Sequence, residues 1–358
     1  MSKLFAPMDF AHGPAQKNRF MLAPLTNTQS YADGSLSDDE YNWLIMRAKG
    51  GFGAVMTCAA HVQAGGQGFP GQLGIFSDDH LPGLTRLATG IKQEDSLAMA
   101  QLHHAGMRSP QKLIGVAPLC PSADEKTGAR EMTTIEVEDL IADFVAAAKR
   151  AEQAGFDGVE VHGAHGYILC QFLSPEINRR DDKFGGSLNN RARAIYEVVA
   201  GIRENCRDDF IISVRLSPER FGMRLSEVIA VAQKLMSDGT IDILDMSLWD
   251  VRKEPEEEAH KGRNLMSYFT ELDRGDVRLG VAGKIYDGET ADWCLDEGCD
   301  FVLLGRGAIL HYDFPDRVRD DATFRAVQLP VSAAYLRGQG LGENFLEYMS
   351  GWQGFVAS

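Results

Sequence analysis

The sequence predicts a single (β/α)8 TIM barrel, and three observations carry that expectation. Eight short apolar runs recur along the 358 residues, with helix-forming segments between them. The runs are continuously apolar rather than alternating, as parallel strands buried on both faces must be. No break in composition divides the chain, whereas a doubly wound sheet would need fewer strands or a second domain. The expected organisation is therefore one barrel domain over residues 1–358, with an extension from about residue 330.

The strands fall in order at RFMLAP (19–24), GAVMTC (53–58), LAMAQL (97–102), GVEVH (158–162), IISVRL (211–216), ILDMS (243–247), VRLGVAG (277–283) and FVLLG (301–305). Between the first two, Ser37 precedes Asp38, Asp39 and Glu40, the cap and acidic first turn of a helix. Residues 138–154 carry apolar positions at spacings of three and four and stop at Gly155, a C-terminal glycine signal. Segments 191–205, 226–238 and 287–297 follow the same logic. The spare length lies at 103–137 and 163–190, after the third and fourth strands, on the face where such barrels do chemistry.

Composition excludes several classes. With 44% hydrophobic and 24% charged residues the chain can bury a core and stay in solution. A formal charge of −15 and the lack of a Lys/Arg-rich block argue against nucleic acid. No run of about 18 uncharged apolar residues is present and the start lacks a secretory hydrophobic stretch, so a soluble cytoplasmic protein with reduced thiols is expected. Cys294 and Cys299 form a C-x4-C pair without two further ligands, so no metal is expected.

The chemistry gathers at strand ends. GVEVHGAHGY places His162, His165 and Tyr167 within six residues, able to grip a polar substrate atom and supply a proton beside it. The last two strands end in Gly283-Lys284 and Gly305-Arg306, glycine turns where backbone N–H groups approach an anion and cations add charge. A phosphate at these two turns is expected. Gln101 ends the third strand, and Arg215 ends the fifth, where a guanidinium among apolar residues needs an anionic or carbonyl-rich partner.

Strand 1 followed by Ala23-Pro24-Leu25-Thr26, Gln101 in AQLHHAG, the HGAHGY motif, Phe172-Leu173-Ser174-Pro175 with Asn178 and Arg180, and FGGSLNNRARAI from Phe184 together resemble the old yellow enzyme family of FMN-dependent ene-reductases. The resemblance runs from about residue 3 to about 330, and the FGGS segment is read as structural, organising the long loop under the site.

It implies FMN across the barrel mouth, with Pro24, Leu25, Thr26, Ala59, Gln101 and His162 along the isoalloxazine, Arg215 on its N1–C2 side, and Gly283, Lys284, Gly305 and Arg306 at the phosphate. It implies ping-pong transfer of hydride from NADH or NADPH, through flavin N5, to the C=C bond of an α,β-unsaturated carbonyl or nitro compound. In that scheme His162 and His165 hold the activating oxygen and Tyr167 protonates the α-carbon. Thr26 together with His165 mixes features of two branches of the family. Arg337 is a candidate for insertion into a neighbouring subunit's site, and the tail with Trp352 and Phe355 for packing over the barrel or bridging to a second copy.

Three rivals differ at named residues. A flavin-free phosphosugar aldolase or isomerase would place a catalytic Lys or Glu at a strand end, and Lys284 is the one lysine so placed. A longer iron–sulfur dehydrogenase or dienoyl reductase would need cysteines, and the segment after Tyr312 has none. A non-enzymatic flavin binder would not need the His162, His165 and Tyr167 group.

Overall fold

The computed structural model describes residues 2–357. β1 (Phe20–Leu22), β2 (Ala54–His61) and β3 (Leu97–His103) are followed by a lateral two-stranded pair, β4 (Leu119–Cys120) and β5 (Arg130–Glu131). β6 (Gly158–Gly163), β7 (Ile211–Leu216), β8 (Ile243–Ser247), β9 (Arg278–Ala282) and β10 (Phe301–Leu304) complete a closed parallel barrel in the order β1-β10-β9-β8-β7-β6-β3-β2. This is the eight-stranded (β/α)8 barrel that the apolar runs predicted.

Boundaries moved for identifiable reasons. β1 stops short of the expected residue 24, because Pro24 has no N–H for the ladder. β2 runs three residues further than expected: its register with β3 slips between Met56 and Ala59, where the Thr57 hydroxyl accepts from the Gln101 N–H at 3.1 Å, and pairing then resumes through His61. The helix expected at 138–154 spans Thr134–Gln153, started by a Thr133/Glu136 capping box. That expected at 191–205 spans Leu188–Asn205, because Ser187 caps it, and that expected at 226–238 spans Leu225–Ser237. The helix Leu81–Gln93 and the β4/β5 pair went unread in the sequence.

Period-two alternation sorts the strand residues. Outward side chains pack under the helices. Inward ones fill the barrel base with Met21, Met56, Met99, Ile211, Ile243 and Phe301. Gly280 admits the Phe301 ring, since a Cβ there would lie 2.3 Å from its Cζ. Above this apolar plug the inward positions turn polar at Gln101, Glu160, Ser213, Arg215 and Asp245, all buried.

The FGGS region ties loops to the barrel rather than lining a cavity. Asn178 Nδ2 donates to the carbonyls of Phe172 and Phe184 at 2.7 and 2.8 Å, Arg180 donates to the Asp182 carboxylate and to Pro121 O, and Arg191 donates to Leu173 O and pairs with Glu227. The chain after the barrel folds back over its mouth. Phe345, in the helix Glu343–Ser350, packs edge-on against Trp43 at 5.3 Å, and the Gly342 N–H donates to Gln29 Oε1 at 2.9 Å. The six cysteines are buried free thiols.

Candidate active site

Two adjoining cavities of about 200 and 430 Å³ open at the C-terminal ends of the strands. They share Pro24, Leu25, His165, Trp249, Arg306 and Trp352, so they form one elongated cleft from the last two βα turns to the loops after β3, β6 and β7. Of the residues singled out in the sequence, Thr26, Ala59, Gln101, His162 and Tyr167 line one end, and Arg215, Gly283, Lys284 and Gly305 the other.

His162 points inward from β6. Its Nδ1 accepts from the Ala164 N–H at 3.3 Å, so the ring proton sits on Nε2 and is donated to His165 Nδ1 at 3.1 Å. His165 must then carry its proton on Nε2, which donates to Ser247 Oγ at 2.8 Å. The loop that makes this relay holds His165 in the left-handed region at φ 60°, with its N–H on Ser217 Oγ at 2.9 Å and its carbonyl accepting from Arg108. Burial drives both imidazoles well below the usual histidine range; for His162 the His165 ring and then Arg215 add to this, and for His165 the Arg215 and Arg108 guanidinia do. Both rings are neutral at pH 7.

Tyr167 precedes the short helix Ile168–Leu173 and stands edge-on to His103 at 4.3 Å and to His162 at 5.1 Å, with the Arg108 guanidinium over its face at 4.6 Å. Burial pushes its phenol above the ordinary value. His103 is a third imidazole in this group that went unread although AQLHHAG contains it; its Nδ1 faces Gln72 Nε2 at 3.0 Å.

Arg215 has the partner its placement required, and the sequence reading missed it. Arg215 Nε lies 3.0 Å from Asp245 Oδ2 with both side chains buried. Glu160 sits in the same layer, accepting from Gln101 Nε2 and Ser213 Oγ at 2.8 Å each. Burial raises both carboxyls, Asp245 the more strongly, while Arg215 pulls both down. Two carboxyls thus share the one guanidinium that can compensate them. An acid in each of GVEVH and ILDMS was the available signal.

The cleft suits a planar polar ring with an anionic tail. The Arg215 guanidinium makes no hydrogen bond within the described residues, and Gln101, whose nitrogen is committed to Glu160, keeps its carbonyl oxygen for a donor. At Gly305 an added Cβ would meet only Leu25 Cδ2 at 3.4 Å, so the bare backbone faces the cleft. At Gly283 a Cβ would lie 2.7 Å from the Asp250 N. One expectation is corrected here: Lys284 does not send its charge into the cleft, because its Nζ is held by Asp250 at 3.0 Å, and only its left-handed backbone (φ 49°) is at the turn. Arg337, the candidate for reaching a neighbouring site, is engaged by Glu343 at 2.6 Å on the exposed tail. Trp352 lines the cleft from the tail and Tyr348 from the helix Glu343–Ser350, while Arg108, Arg220 and Trp249 line it from segments the sequence could not align with the strands.

A barrel mouth that joins a bare-backbone anion turn to an arginine-lined ring slot and neutral imidazoles defines a flavin-dependent oxidoreductase. The chain belongs to the NADH:flavin oxidoreductase / NADH oxidase family, whose model matches residues 3–323, and it is of old yellow enzyme type with FMN and NAD(P)H as its cofactors. It is 34% identical over 328 residues to a probable NADH-dependent flavin oxidoreductase, YqiG, of Bacillus subtilis, covering 88% of each chain. It is 32% identical to an NADH:acrylate oxidoreductase of Vibrio harveyi, covering 90% of this chain but only 34% of that longer protein. Among solved structures, an old yellow enzyme homologue from Zymomonas mobilis superimposes with a TM-score of 0.81 at 27% identity, covering 97% of this chain and 99% of that one. No helix among the described residues is long and apolar enough to cross a membrane.

Proposed function

We propose that the protein is an ene-reductase that reduces the C=C bond of α,β-unsaturated carbonyl or nitro compounds, consuming NAD(P)H and one proton per double bond. FMN, when bound, supplies the redox centre between the nicotinamide and the alkene. Pro24, Leu25, Thr26, Ala59, Gln101 and Arg215 would seat its ring, and the backbone of Gly283, Lys284, Gly305 and Arg306 its phosphate, with residues 331–357 closing the mouth. Six buried free thiols fit a reducing, cytoplasmic setting.

The observation that carries the assignment of roles is the packing of two imidazoles, His162 Nε2 3.1 Å from His165 Nδ1, beside the Tyr167 ring at one end of the cleft. Neutral His162 and His165 act as hydrogen-bond donors to the carbonyl or nitro oxygen, where charge grows during reduction. A substrate oxygen must displace the acceptor each donor has in the relay, His165 Nδ1 for the His162 Nε2–H and Ser247 Oγ for the His165 Nε2–H. Each such donor is worth about 3–4 kcal/mol at a developing oxyanion. Too weakly basic to carry protons at pH 7, the imidazoles leave proton delivery to Tyr167, whose hydroxyl has no protein partner among the described residues. The aldolase alternative is less well supported, since its one strand-end lysine, Lys284, pairs with Asp250 at 3.0 Å.

Tyr167→Phe should leave the rate of flavin bleaching by NAD(P)H within about twofold of the parent and slow reoxidation by an enone by roughly 10²–10⁴. Stopped-flow absorbance separates the two half-reactions. Unchanged enone turnover in this variant would remove Tyr167 from proton delivery, and a protein that cannot be reconstituted with FMN would remove the whole reading.

A further inference from the structure

The chain carries a formal charge of −15, yet no Asp or Glu lines either end of the cleft. Five cations do: Arg108, Arg215, Arg220, Lys284 and Arg306. Three of these are accounted for, since Arg215 faces Asp245, Lys284 is held by Asp250, and Arg306 belongs to the phosphate turn, its guanidinium over Tyr286 at 5.6 Å. Arg108 and Arg220 remain, both at the end of the cleft where His162, His165 and Tyr167 lie.

Arg108 is exposed on the cleft side and pairs with no carboxylate among the described residues. It gives one N–H to the His165 carbonyl and lays its plane on the Tyr167 ring at 4.6 Å, which fixes its direction and leaves further N–H groups for a ligand. Arg220 stands at the rim, with an exposed Glu256 3.8 Å away and its guanidinium over the Trp249 ring at 4.9 Å. Its backbone is left-handed at φ 70° and that of Phe221 at φ 54°, two consecutive non-glycine residues in an uncommon conformation. The loop is braced by Phe221 against Gly166, where a Cβ would come within 2.8 Å of the ring. HGAHGY therefore positions this arginine as well as the histidines.

We propose that the alkene reduced here is an anion, its carboxylate bound by Arg108 and drawn in by Arg220. This rests on the ene-reductase reading and adds the substrate's charge to it. The chemistry asks for such a partner: a free carboxylate donates electron density and repels an arriving hydride, neutral imidazoles cannot cancel that charge, and a guanidinium can. The dinucleotide's pyrophosphate is the other anion that enters this cleft, so the test must separate the two sources.

The FMN-loaded enzyme is assayed with monomethyl fumarate, an anion activated by one ester, and with dimethyl fumarate, its neutral counterpart. Flavin reduction is measured separately with NADH and with 1-benzyl-1,4-dihydronicotinamide, which has no phosphate. Arg108→Gln should lower the ratio of kcat/KM for the monoester to that for the diester by 10- to 100-fold, as expected for loss of a charge-assisted hydrogen bond. Arg108→Lys should recover part of that ratio, and Arg220→Gln should lower it several-fold while weakening its salt dependence. FMN content and circular dichroism of each variant report folding independently. An unmoved ratio overturns the proposal, and if NADH reduction falls relative to the benzyl donor at the same time, the arginines read the dinucleotide instead. A flavin that bleaches with NADH but is reoxidised by neither ester would overturn the ene-reductase reading itself, and the charge assignment with it.

Discussion

Arg215→Met is expected to cost about 3–5 kcal/mol of stability in the FMN-free protein, the range found when one member of a buried ion pair is removed. The guanidinium is the only cation in a buried layer with two carboxyls, Asp245 at 3.0 Å and Glu160 beside it. Methionine fills similar volume but leaves the two carboxyls without a cation, so the layer must either hold a charge without a partner or take up a proton. Asp245→Asn should cost much less, because one guanidinium and one carboxylate remain. Urea unfolding of the three FMN-free proteins measures this ordering directly. Asp245→Asn proving the more damaging change would contradict the view that the guanidinium is the compensating charge of this layer. Arg215→Met should also lose FMN on dilution, since the same guanidinium is the unbonded donor at the ring slot.

Acid sensitivity is the second large effect. His61, His103, His104 and His162 are each under 5% exposed, and burial holds all four below the ordinary value of 6.5, His61 at about 4 and His104 at about 3. A histidine with a depressed folded value contributes stability that is present above 6.5 and lost as pH falls, because only the unfolded chain binds the proton. Asp245 acts in the opposite sense: its raised folded value contributes stability that is full below the unfolded carboxyl range and lost as pH rises. Glu40 and Glu160 are raised less, each bonded by two donors. His165 and His311 are held down in the same way. Between pH 6.5 and 5.5 each histidine that stays neutral in the fold should cost about 1 kcal/mol of stability, and more per unit below that, with Asp245 opposing the loss. Urea midpoints in a pH series would show it, and a flat or rising profile from pH 6.5 to 5.5 would contradict the neutral-imidazole assignment on which the roles of His162 and Tyr167 depend. His104→Gln should flatten the slope by about one proton.

Much of the site was legible because it is local. His162, His165 and Tyr167 are neighbours in sequence, so one turn after β6 brings them together, and the glycine turns after β9 and β10 announce themselves by residue type. What stayed hidden depends on closure. The His165–Ser247 hydrogen bond spans 82 positions, and the Arg215–Asp245 pair exists only because β7 and β8 align those two residues as register partners. An isolated acid inside an apolar strand is ambiguous until its register is known. Lys284 misled for a related reason: a lysine at a phosphate turn has the right charge, but a side chain of that length goes to the nearest carboxylate, and Asp250 was not visible as a neighbour.

By itself the sequence determined the barrel, the face on which chemistry occurs, and the imidazole–phenol group, since strand burial and turn chemistry are written in patterns a few residues long. Only the tertiary structure decided which charges are paired, which way each imidazole proton points, and that Arg108 and Arg220 share a cleft lined by Trp352. Those properties depend on the distance between groups far apart in the chain, and on the removal of water around them, and neither exists before the strands close on one another.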